Sequence, residues 1–295
     1  PTEPASSDAP TTEPTPVAPS PSVTPEPTVA ASLAIASDIT VVGEAAAFSS
    51  DGAWFAFTAR PRDGSAGPDV YVWRVGDDTA RQLTRDGRSY FGSWDGDTVL
   101  ASRTPEGSNG ERATASTVAI DPATGDERDA GAVWRPVLDP AGTRAVAWTG
   151  TVASDGDDGT YVPATGSLVL MTWPPADVEG AVSDVIATDV GADYDVRWDE
   201  TGRWFAVWIA DPSGSDVGRL SLYHVHPETG AIQRADGAPV DVAALAGFSV
   251  GQGRLAWATP PGQGGEGSRV QVVAWVEDGV GTVETAPGED VIVVR

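Results

Sequence analysis

Cysteine and lysine are both missing from this chain of 295 residues, and histidine and methionine are scarce, with two copies and one copy. Without cysteine, neither a disulfide framework nor a thiolate metal site can form. Because lysine is absent, all 18 basic residues are arginines, and the 43 acidic residues that outnumber them give a net charge of −25. An acidic surface repels phosphate, which argues against binding to nucleic acid or docking on anionic lipid.

Long apolar runs are missing as well. No window approaches about 18 uninterrupted apolar residues, so the sequence predicts no membrane-spanning helix. The chain begins at Pro1 and not at methionine. We therefore expect that any export signal, or any segment that tethers the protein to a membrane, lies outside this sequence.

The first 35 residues carry little apolar surface. Residues 1–35 interleave proline with threonine, serine, alanine and glutamate, and no basic residue occurs before Arg60. Such a composition cannot offset the entropy of ordering, so we expect a disordered linker with polyproline II character. Extended at about 3.1 Å per residue, the linker would reach on the order of 100 Å, which suits a stalk through a cell wall. The folded region is then expected to be residues 36–295.

Beyond the linker, the sequence repeats itself roughly every fifty residues. Residues 45–87 contain AAAFSSDGAWFAFTAR and then DVYVWRVGDDTARQLT. Residues 192–242 contain ADYDVRWDETGRWFAVWIA and then GRLSLYHVHPETGAIQ. Three further copies begin near residues 88, 132 and 243. Each copy predicts four short antiparallel strands.

Turn residues mark the same places in the copies. Asp51-Gly52 and the Asp-x-x-Gly turns that start at Asp139 and Asp199 lie between first and second strands. Between third and fourth strands, DPATG at 121–125 matches HPETG at 226–230. Aspartate accepts backbone hydrogen bonds and glycine supplies a positive φ, as tight hairpins require.

Bulky side chains occur on both faces of the strands. Phe55 and Phe57 share one face of their second strand, whereas Trp204 and Trp208 share the other face of theirs. Third strands are expected to carry Trp73, Trp173, Tyr223 and Trp275. Sheets with two apolar faces must be covered on both sides, and four-stranded units in series are typical of a β-propeller.

The sequence therefore predicts an all-β fold, a β-propeller of five four-stranded blades. A sixth blade remains an alternative, because the segments 39–43 and 291–295 read as two leftover strands. We expect at least one of them to close the ring by joining a blade that begins at the other end of the chain, since closure removes free strand edges.

Three segments carry a family resemblance: FSSDGAWFAFTARPRDGSAGPDVYVWRVGD, VRWDETGRWFAVWIADPSGSDVGRLSLYHVHPETG and GRLAWATPPGQGGEGSRVQVVAWVEDG. Together they resemble the C-terminal propeller of actinobacterial and chloroflexotal membrane proteins of the zinc-finger anti-sigma factor type and, more loosely, the TolB-type (WD40-like) propeller family. The resemblance covers roughly residues 36–295. It implies an outer, sensory propeller that a proline-rich stalk and a membrane helix join to a cytoplasmic zinc-binding domain. Because that domain uses histidine and cysteine ligands, this cysteine-free chain lacks it, and no ligand residue is carried over.

Two short motifs have the form of a chemical site. The sequence GFSVG around Ser249 matches the nucleophile elbow of hydrolases, but both histidines precede Ser249 and the repeat places the motif in a hairpin. His224 and His226 would share one face of a strand, as two metal ligands do. However, His226 occupies a turn position of the repeat and no third ligand is indicated.

Carboxylates form a third group of candidates. Asp155, Asp157 and Asp158 in the 154–159 loop resemble a fragment of a calcium site, without the register of an EF-hand. A pair of channel carboxylates could support glycoside chemistry, but the sequence does not identify such a pair.

We therefore assign no catalytic residue, no cofactor and no metal ligand, and we expect a non-enzymatic binding or sensing module. Its expected location is extracytoplasmic, at the cell surface or secreted, with an unknown protein or cell-wall ligand at the propeller face and no nucleic acid partner. The alternatives are a hydrolase or lyase that acts on glycans through channel carboxylates, and a structural spacer that packs against other surface proteins.

Overall fold

Alternating apolar and polar residues between Asp and Gly turns produce β-strands from Ile39 onward. The computed structural model describes residues 34–106, 112–114, 116–155, 160–163, 165–175, 181–212, 217–234, 242–261, 267–276, 279–280 and 284–287. Residues Ile35–Arg295 form one unit. The linker predicted for 1–35 lies outside the described residues except for its last two. Within the described ranges no helix has the length and apolarity that a bilayer crossing requires.

The first two sheets are four-stranded antiparallel meanders. Sheet 1 contains, from first to fourth strand, β1 (Ile39–Phe48), β2 (Trp54–Pro61), β3 (Asp69–Arg74) and β4 (Arg81–Gln82). Sheet 2 contains β5 (Ser89–Asp95), β6 (Thr98–Arg103), β8 (Ser116–Ile120) and β9 (Glu127–Asp129). Each sheet therefore comes from one continuous stretch of chain.

The next three sheets repeat this order. Sheet 3 contains β10 (Trp134–Leu138), β11 (Arg144–Thr149), β14 (Gly166–Thr172) and β15 (Val182–Val190). Sheet 4 contains β16 (Tyr194–Trp198), β17 (Trp204–Ala210), β18 (Val217–Val225) and β19 (Ile232–Arg234), and β20 (Val242–Leu245) also pairs with β18. Sheet 5 contains β21 (Phe248–Gly251), β22 (Arg254–Ala258) and β23 (Arg269–Val276), with β24 (Gly279–Val280) and β25 (Glu284–Pro287) both on β23.

A small sixth sheet is built from insertions in sheets 2 and 3. It pairs β7 (Arg112–Thr114) with β12 (Thr151–Asp155), which also pairs with β13 (Thr160–Pro163). The sequence indicated a solvated loop at 154–159, whereas β12 and β13 form a hairpin that flanks it. Repeat matching missed this hairpin because the described residues of the other copies contain no counterpart.

Turn chemistry matches the prediction. Gly52, Gly142 and Gly202 follow the first strands of sheets 1, 3 and 4 with φ of 71°, 66° and 66°. The side chains of Asp139 and Asp199 are buried, and each accepts two backbone hydrogen bonds across its turn at 2.8–3.0 Å. Asp and Gly therefore fix the first hairpin of these sheets, as the sequence predicts.

Four apolar cores separate the five sheets, and each core joins sheets that follow one another in the chain. Sheets 1 and 2 share one core, sheets 2 and 3 a second, sheets 3 and 4 a third, and sheets 4 and 5 a fourth. First strands of successive sheets also contact one another. Such serial packing of antiparallel meanders is the blade arrangement of a β-propeller. Among the described residues no core joins sheet 5 to sheet 1.

The face assignments are confirmed. Ala56 of β2 lies in the core with sheet 2, so Phe55 and Phe57 point to the opposite face. Trp204 and Trp208 lie in the core with sheet 5, whereas Phe205 lies in the core with sheet 3. Three of the four predicted third-strand aromatics lie on third strands, and Trp173 follows the end of β14.

The interpretation of segment 39–43 as a separate, leftover strand is wrong. This segment is the beginning of β1 and pairs with β2 of its own sheet. A bulge lies between Val42 and Ala46, where Gly43 has a φ of 81°. The bulge interrupts the alternation of side chains, so the sequence pattern does not show that both halves belong to one strand. The segment 291–295 lies outside the described residues.

One position connects the sheets in a repeated way. The fifth residue of the second strand is Thr58, Ser102, Trp148 and Trp208 in sheets 1 to 4. Thr58 accepts a hydrogen bond from the backbone N–H of Phe91, and Ser102 accepts one from that of Arg135, both at 2.8 Å. Both donors belong to the first strand of the next sheet. The hydroxyl groups of Thr58 and Ser102 therefore connect β5 and β10 to the preceding sheets, to which these strands are not paired through their backbones.

Candidate functional site

The first strands of sheets 1 to 4 line a central cavity of about 250 Å³, together with Ala246 and Gly247 just before β21. In sheets 1 to 4 the first strand is an edge strand, and it is the innermost one because its residues line the cavity. Residues of sheets 1 to 4 and of the segment that leads into sheet 5 therefore meet in this cavity. We take it as the candidate site because ligand pockets are concave and few per protein.

One wall of the cavity is ionic. Asp193, Asp195 and Arg197 alternate along the start and length of β16, and all three line the cavity. Residues two apart on a strand share a face, about 6.7 Å from one another. The Arg197 guanidinium pairs with the Asp195 carboxylate at 3.0 Å, and the two side chains are 52% and 32% exposed. Carboxylate and guanidinium groups are thus both within reach of a ligand.

Arg135 of β10 adds a second guanidinium from the neighbouring sheet. Its side chain is buried, and its backbone has a φ of 46°, in the left-handed region that non-glycine residues seldom adopt. The guanidinium carbon lies 5.5 Å from the ring centre of Tyr194, a cation–π distance. The Tyr194 hydroxyl lies 2.7 Å from the Arg135 carbonyl oxygen and accepts a bond from the backbone N–H of Trp148. Arg135 is therefore held in place both by its own sheet 3 and by Tyr194 of sheet 4.

Small residues form another part of the lining. Gly43 and residues 45–47 of β1 lie there with Gly92 of β5, beside the aromatic rings of Phe91 and Trp208. Gly92 permits a close approach of the two strands, since a β-carbon there would lie 3.2 Å from the Cα of Arg135, a tight contact. The cavity thus has one ionic wall and one smooth apolar wall, which suits a ligand with a polar and an apolar side.

A second buried ionic group lies where the chain passes from sheet 1 to sheet 2. Asp69 is 2% exposed and accepts bonds from Thr84 Oγ1 at 2.8 Å, Gln82 Nε2 at 2.9 Å, and the N–H groups of Asp86 and Gly87 at 3.0 and 3.2 Å. Burial raises the pKa of Asp69 above its ordinary value of 3.8, although the bonds from Thr84, Gly87 and Gln82 partly offset this rise. This aspartate anchors a crossover and does not line the cavity.

The network continues into sheet 2. Asp86 accepts a bond from the Ser89 hydroxyl and pairs with Arg103 at 2.8 Å, and Arg103 also pairs with Glu127 at 2.6 Å. Burial alone would lower the pKa of Arg103, but the bond to Glu127 and the charge of Asp86 raise it. Arg103 therefore stays charged and joins the crossover to the outer strand of sheet 2.

The two motif candidates lie in ordinary strand and turn positions. Ser249 is on β21 and pairs with Ala256 of β22 in an antiparallel hairpin, as the repeat predicts. His224 is on β18 against the Trp204 ring, whereas His226 lies in the following turn, where its Nδ1 accepts backbone bonds. His226 lies in a turn after the end of β18, as the repeat indicates, so the two histidines do not share a strand face.

The aspartate loop is only partly described. Asp155 ends β12, and Asp157 and Asp158 lie outside the described residues. In the ranges that the structure covers, no three His, Asp or Glu side chains are arranged to hold a metal ion. Sequence reasoning missed the cavity residues Arg135, Asp193 and Asp195, whose only signal was their place on or beside first strands of the repeat.

Comparison with known proteins returns propellers at low identity. The chain is similar to TolB from Acinetobacter baumannii (15% identity, TM-score 0.45), with 85% of this chain and 57% of that chain covered. It is also similar to a putative TolB from Agrobacterium tumefaciens (17%, 0.39, 63% and 62%) and to prolyl oligopeptidase B from Galerina marginata (12%, 0.42, 80% and 31%). The chain thus spans less than two thirds of each of these proteins.

No family model matches the chain, and no curated protein matches it. Identities and TM-scores as low as these carry no argument about activity. The propeller arrangement is therefore argued from the strand order and the cores of the chain itself.

Proposed function

We propose that this chain is a non-enzymatic binding propeller whose ligand enters the central cavity. The observation that carries the proposal is that residues of four sheets and residues 246–247 line one cavity, which has an ionic part and an apolar part. A ligand in this cavity would contact sheets 1 to 4 and the segment that leads into sheet 5, as central ligands of a propeller contact several blades. Arg135, Arg197 and Asp195 would bind charged groups of the ligand, while residues 45–47 would contact its apolar part.

The proposal includes a closed ring of sheets around this cavity. Support comes from residues of sheet 1 and residues 246–247, which line the same cavity although no core of described residues joins sheets 5 and 1. Five blades and six blades are both compatible with this arrangement.

The proposed setting is extracytoplasmic, at a cell surface or in the secreted state. It is supported by the proline- and threonine-rich residues 1–35, by the absence of cysteine and by the net charge of −25, which disfavours nucleic acid. The outer region of an anti-sigma factor is one specific form of this setting, and it rests only on the sequence resemblance. The ligand would then be a protein segment or a cell-wall component.

The chain offers a matched pair of arginines for the test. Arg197 pairs with Asp195 in the cavity, and Arg128 pairs with Asp95 outside it, with side chains that are 52% and 55% exposed. Titration calorimetry would measure binding of short peptides and wall-glycan fragments to the natural protein, Arg197→Glu and Arg128→Glu. We expect the variant Arg197→Glu to lose at least about tenfold in affinity for the ligand that binds, and Arg128→Glu to bind normally. Equal affinity of both variants, or no binding of any probe, would contradict the proposal.

An enzyme that acts on glycans is the second candidate. The observation in its favour is that Asp193 and Asp195 both line the cavity, since glycoside chemistry uses a pair of carboxylates. The ion pair between Asp195 and Arg197 and the partial exposure of both side chains favour a binding role instead. Release of reducing sugar from wall glycan by the natural protein, abolished in Asp193→Asn and Asp195→Asn, would establish catalysis.

A further inference from the structure

The central cavity is small for a ligand pocket. Its volume of about 250 Å³ lies below the range of roughly 300–1,000 Å³ that pockets for drug-sized molecules cover. A folded domain cannot enter such a volume, and neither can a long stretch of glycan. The size of the cavity therefore favours a ligand of about one or two amino-acid residues.

Asp193 lines the cavity with a carboxylate that has no partner among the described residues. The residue is partly buried and directly precedes β16, the first strand of sheet 4. Its backbone oxygen accepts a bond from the N–H of Ala210, but no hydrogen bond or ion pair between described residues involves its side chain. A carboxylate that has lost part of its hydration without gaining a partner favours a cation beside it. Asp193 therefore suits an ammonium group of the ligand.

Arg135 brings a positive charge to the same cavity from the neighbouring sheet. Because its side chain is buried, a ligand reaches the guanidinium only through the cavity. The group has five N–H donors, and its contact with the Tyr194 ring does not occupy all of them. Bonds between a guanidinium and a carboxylate are charge-assisted and often bidentate. Arg135 therefore suits a carboxylate group of the ligand.

The charges of the cavity lining sum to zero. Asp195 and Arg197 form an ion pair at 3.0 Å, and Asp193 and Arg135 add one charge of each sign. A purely cationic ligand would meet two guanidinium groups, and a purely anionic ligand would approach against a net charge of −25. A ligand that carries one charge of each sign meets neither obstacle.

We propose that the cavity binds a short zwitterionic peptide with an apolar side chain. Its ammonium group would pair with Asp193 and its carboxylate with Arg135, while the apolar side chain would contact residues 45–47 and the rings of Phe91 and Trp208. The assignment rests on the proposed function, a binding propeller, and adds the chemical class of the ligand. Peptides that are blocked at either end lose one of the two charges and are expected to bind more weakly.

Capped dipeptides test this assignment on the natural full chain. The probe is alanyl-phenylalanine, which is compared with its N-acetylated form and with its C-terminal amide. Titration calorimetry would measure the three affinities at about pH 6.5, where a free α-amino group is charged. We expect the free dipeptide to bind and each capped form to lose at least about tenfold in affinity, because one charge-assisted bond is removed.

Two variants connect each charge of the probe to a residue. In Asp193→Asn, acetylation should change the affinity by less than about twofold, because the amine has no carboxylate to pair with, and amidation should keep its full effect. In Arg135→Gln the two caps should exchange these roles. Asp97→Asn is the matched control and should keep both effects, since Asp97 is an exposed residue of the turn between β5 and β6 and does not line the cavity.

The outcomes separate this assignment from the proposed function. A free dipeptide that binds no tighter than its capped forms, or an acetylation effect that survives in Asp193→Asn, would overturn the assignment. If no dipeptide binds but a longer peptide or a wall-glycan fragment does, and Arg197→Glu weakens that binding, the assignment fails and the propeller remains a binding module. If no probe binds at all, both fail. If Arg135→Gln does not fold, the amidated probe still tests the carboxylate on the natural protein.

Discussion

Replacing Asp69 by asparagine and by alanine separates the hydrogen-bonding role of this buried group from its charge. Oδ1 of Asp69 accepts three bonds, from Thr84 Oγ1 and from the backbone N–H groups of Asp86 and Gly87, while Oδ2 accepts one from Gln82. An asparagine keeps the oxygen at Oδ1 and presents its NH₂ group to Gln82, whose amide can turn to accept. Asparagine thus preserves the network, whereas alanine removes every acceptor.

The magnitudes follow from the number of donors left without a partner. Asp69→Ala leaves the donors of Asp86, Gly87 and Thr84 in a site where the natural residue is 2% exposed. At about 1–3 kcal/mol for each buried unpaired donor, with some relaxation toward water, we expect a loss of about 3–5 kcal/mol in the free energy of unfolding. Asp69→Asn is expected to lose about 1 kcal/mol or less at neutral pH, because a single bond is rearranged.

The pH dependence has a definite sign. Burial raises the pKa of Asp69 above 3.8, so the folded protein holds this proton more tightly than the unfolded chain does. The contribution of such a group to stability is complete below the unfolded pKa and is lost as pH rises through the folded pKa. The difference in unfolding free energy between the natural protein and Asp69→Asn should therefore fall as pH rises from 3.8.

Urea denaturation followed by the fluorescence of the 11 tryptophans would measure these differences at several pH values. Asp51→Asn is the control of opposite sign, since the bond from Ser49 lowers the pKa of Asp51 and its contribution is lost as pH falls. A difference for Asp69→Asn that rises with pH or stays flat would refute the assigned direction. Equal losses for Asp69→Ala and Asp69→Asn would refute the role of the bonds.

Two further predictions concern contacts between and within sheets. Thr58→Val and Ser102→Ala each leave a backbone N–H of the next sheet without an acceptor, at a cost of about 1–3 kcal/mol in urea denaturation, and Thr58→Ser should recover most of the loss. A variant as stable as the natural protein would show that water replaces the hydroxyl. Gly166→Ala and Gly218→Ala place a β-carbon within 3.0 Å of a backbone oxygen and of the Trp148 or Trp208 ring, and should each cost about 1–3 kcal/mol. Gly191→Ala is the matched control, because nothing lies within 4 Å of its β-carbon; thermal unfolding that ranks it with the other two would contradict this packing argument.

Sequence alone predicts much of the fold because the same turn residues recur between the strands of each copy. Turns at Asp139 and Asp199 with glycine three residues later fix hairpin positions, and Phe205 beside Trp204 and Trp208 reveals that both sheet faces are buried. The prediction fails where a local irregularity, such as a bulge or an inserted hairpin, interrupts the repeat. The bulge of β1 hides that 39–43 and the following residues are one strand, and the β12–β13 hairpin has no counterpart in the described residues of other copies.

The candidate site could not be predicted in the same way. Asp193, Asp195 and Arg197 alternate with apolar residues as on any half-buried strand, so their pattern indicates exposure and not a shared cavity. Arg135 belongs to a different sheet, and only the packing of first strands brings it near Tyr194. Such convergence depends on tertiary geometry, which residue spacing does not contain.

The four cores in chain order have a mechanical consequence. Among the described residues, the apolar cores join each sheet to the sheets immediately before and after it. The stability of the molecule is then approximately that of a linear array with nearest-neighbour coupling. In the part of the chain that the structure describes, sheets 2, 3 and 4 share a core with a neighbour on both faces, whereas sheets 1 and 5 share one on a single face. If force were applied to its two ends, such an array would unfold from the outer sheets inward and release the chain in steps of about one sheet. A contact that joined the first sheet to the last would instead make the whole array unfold in one step.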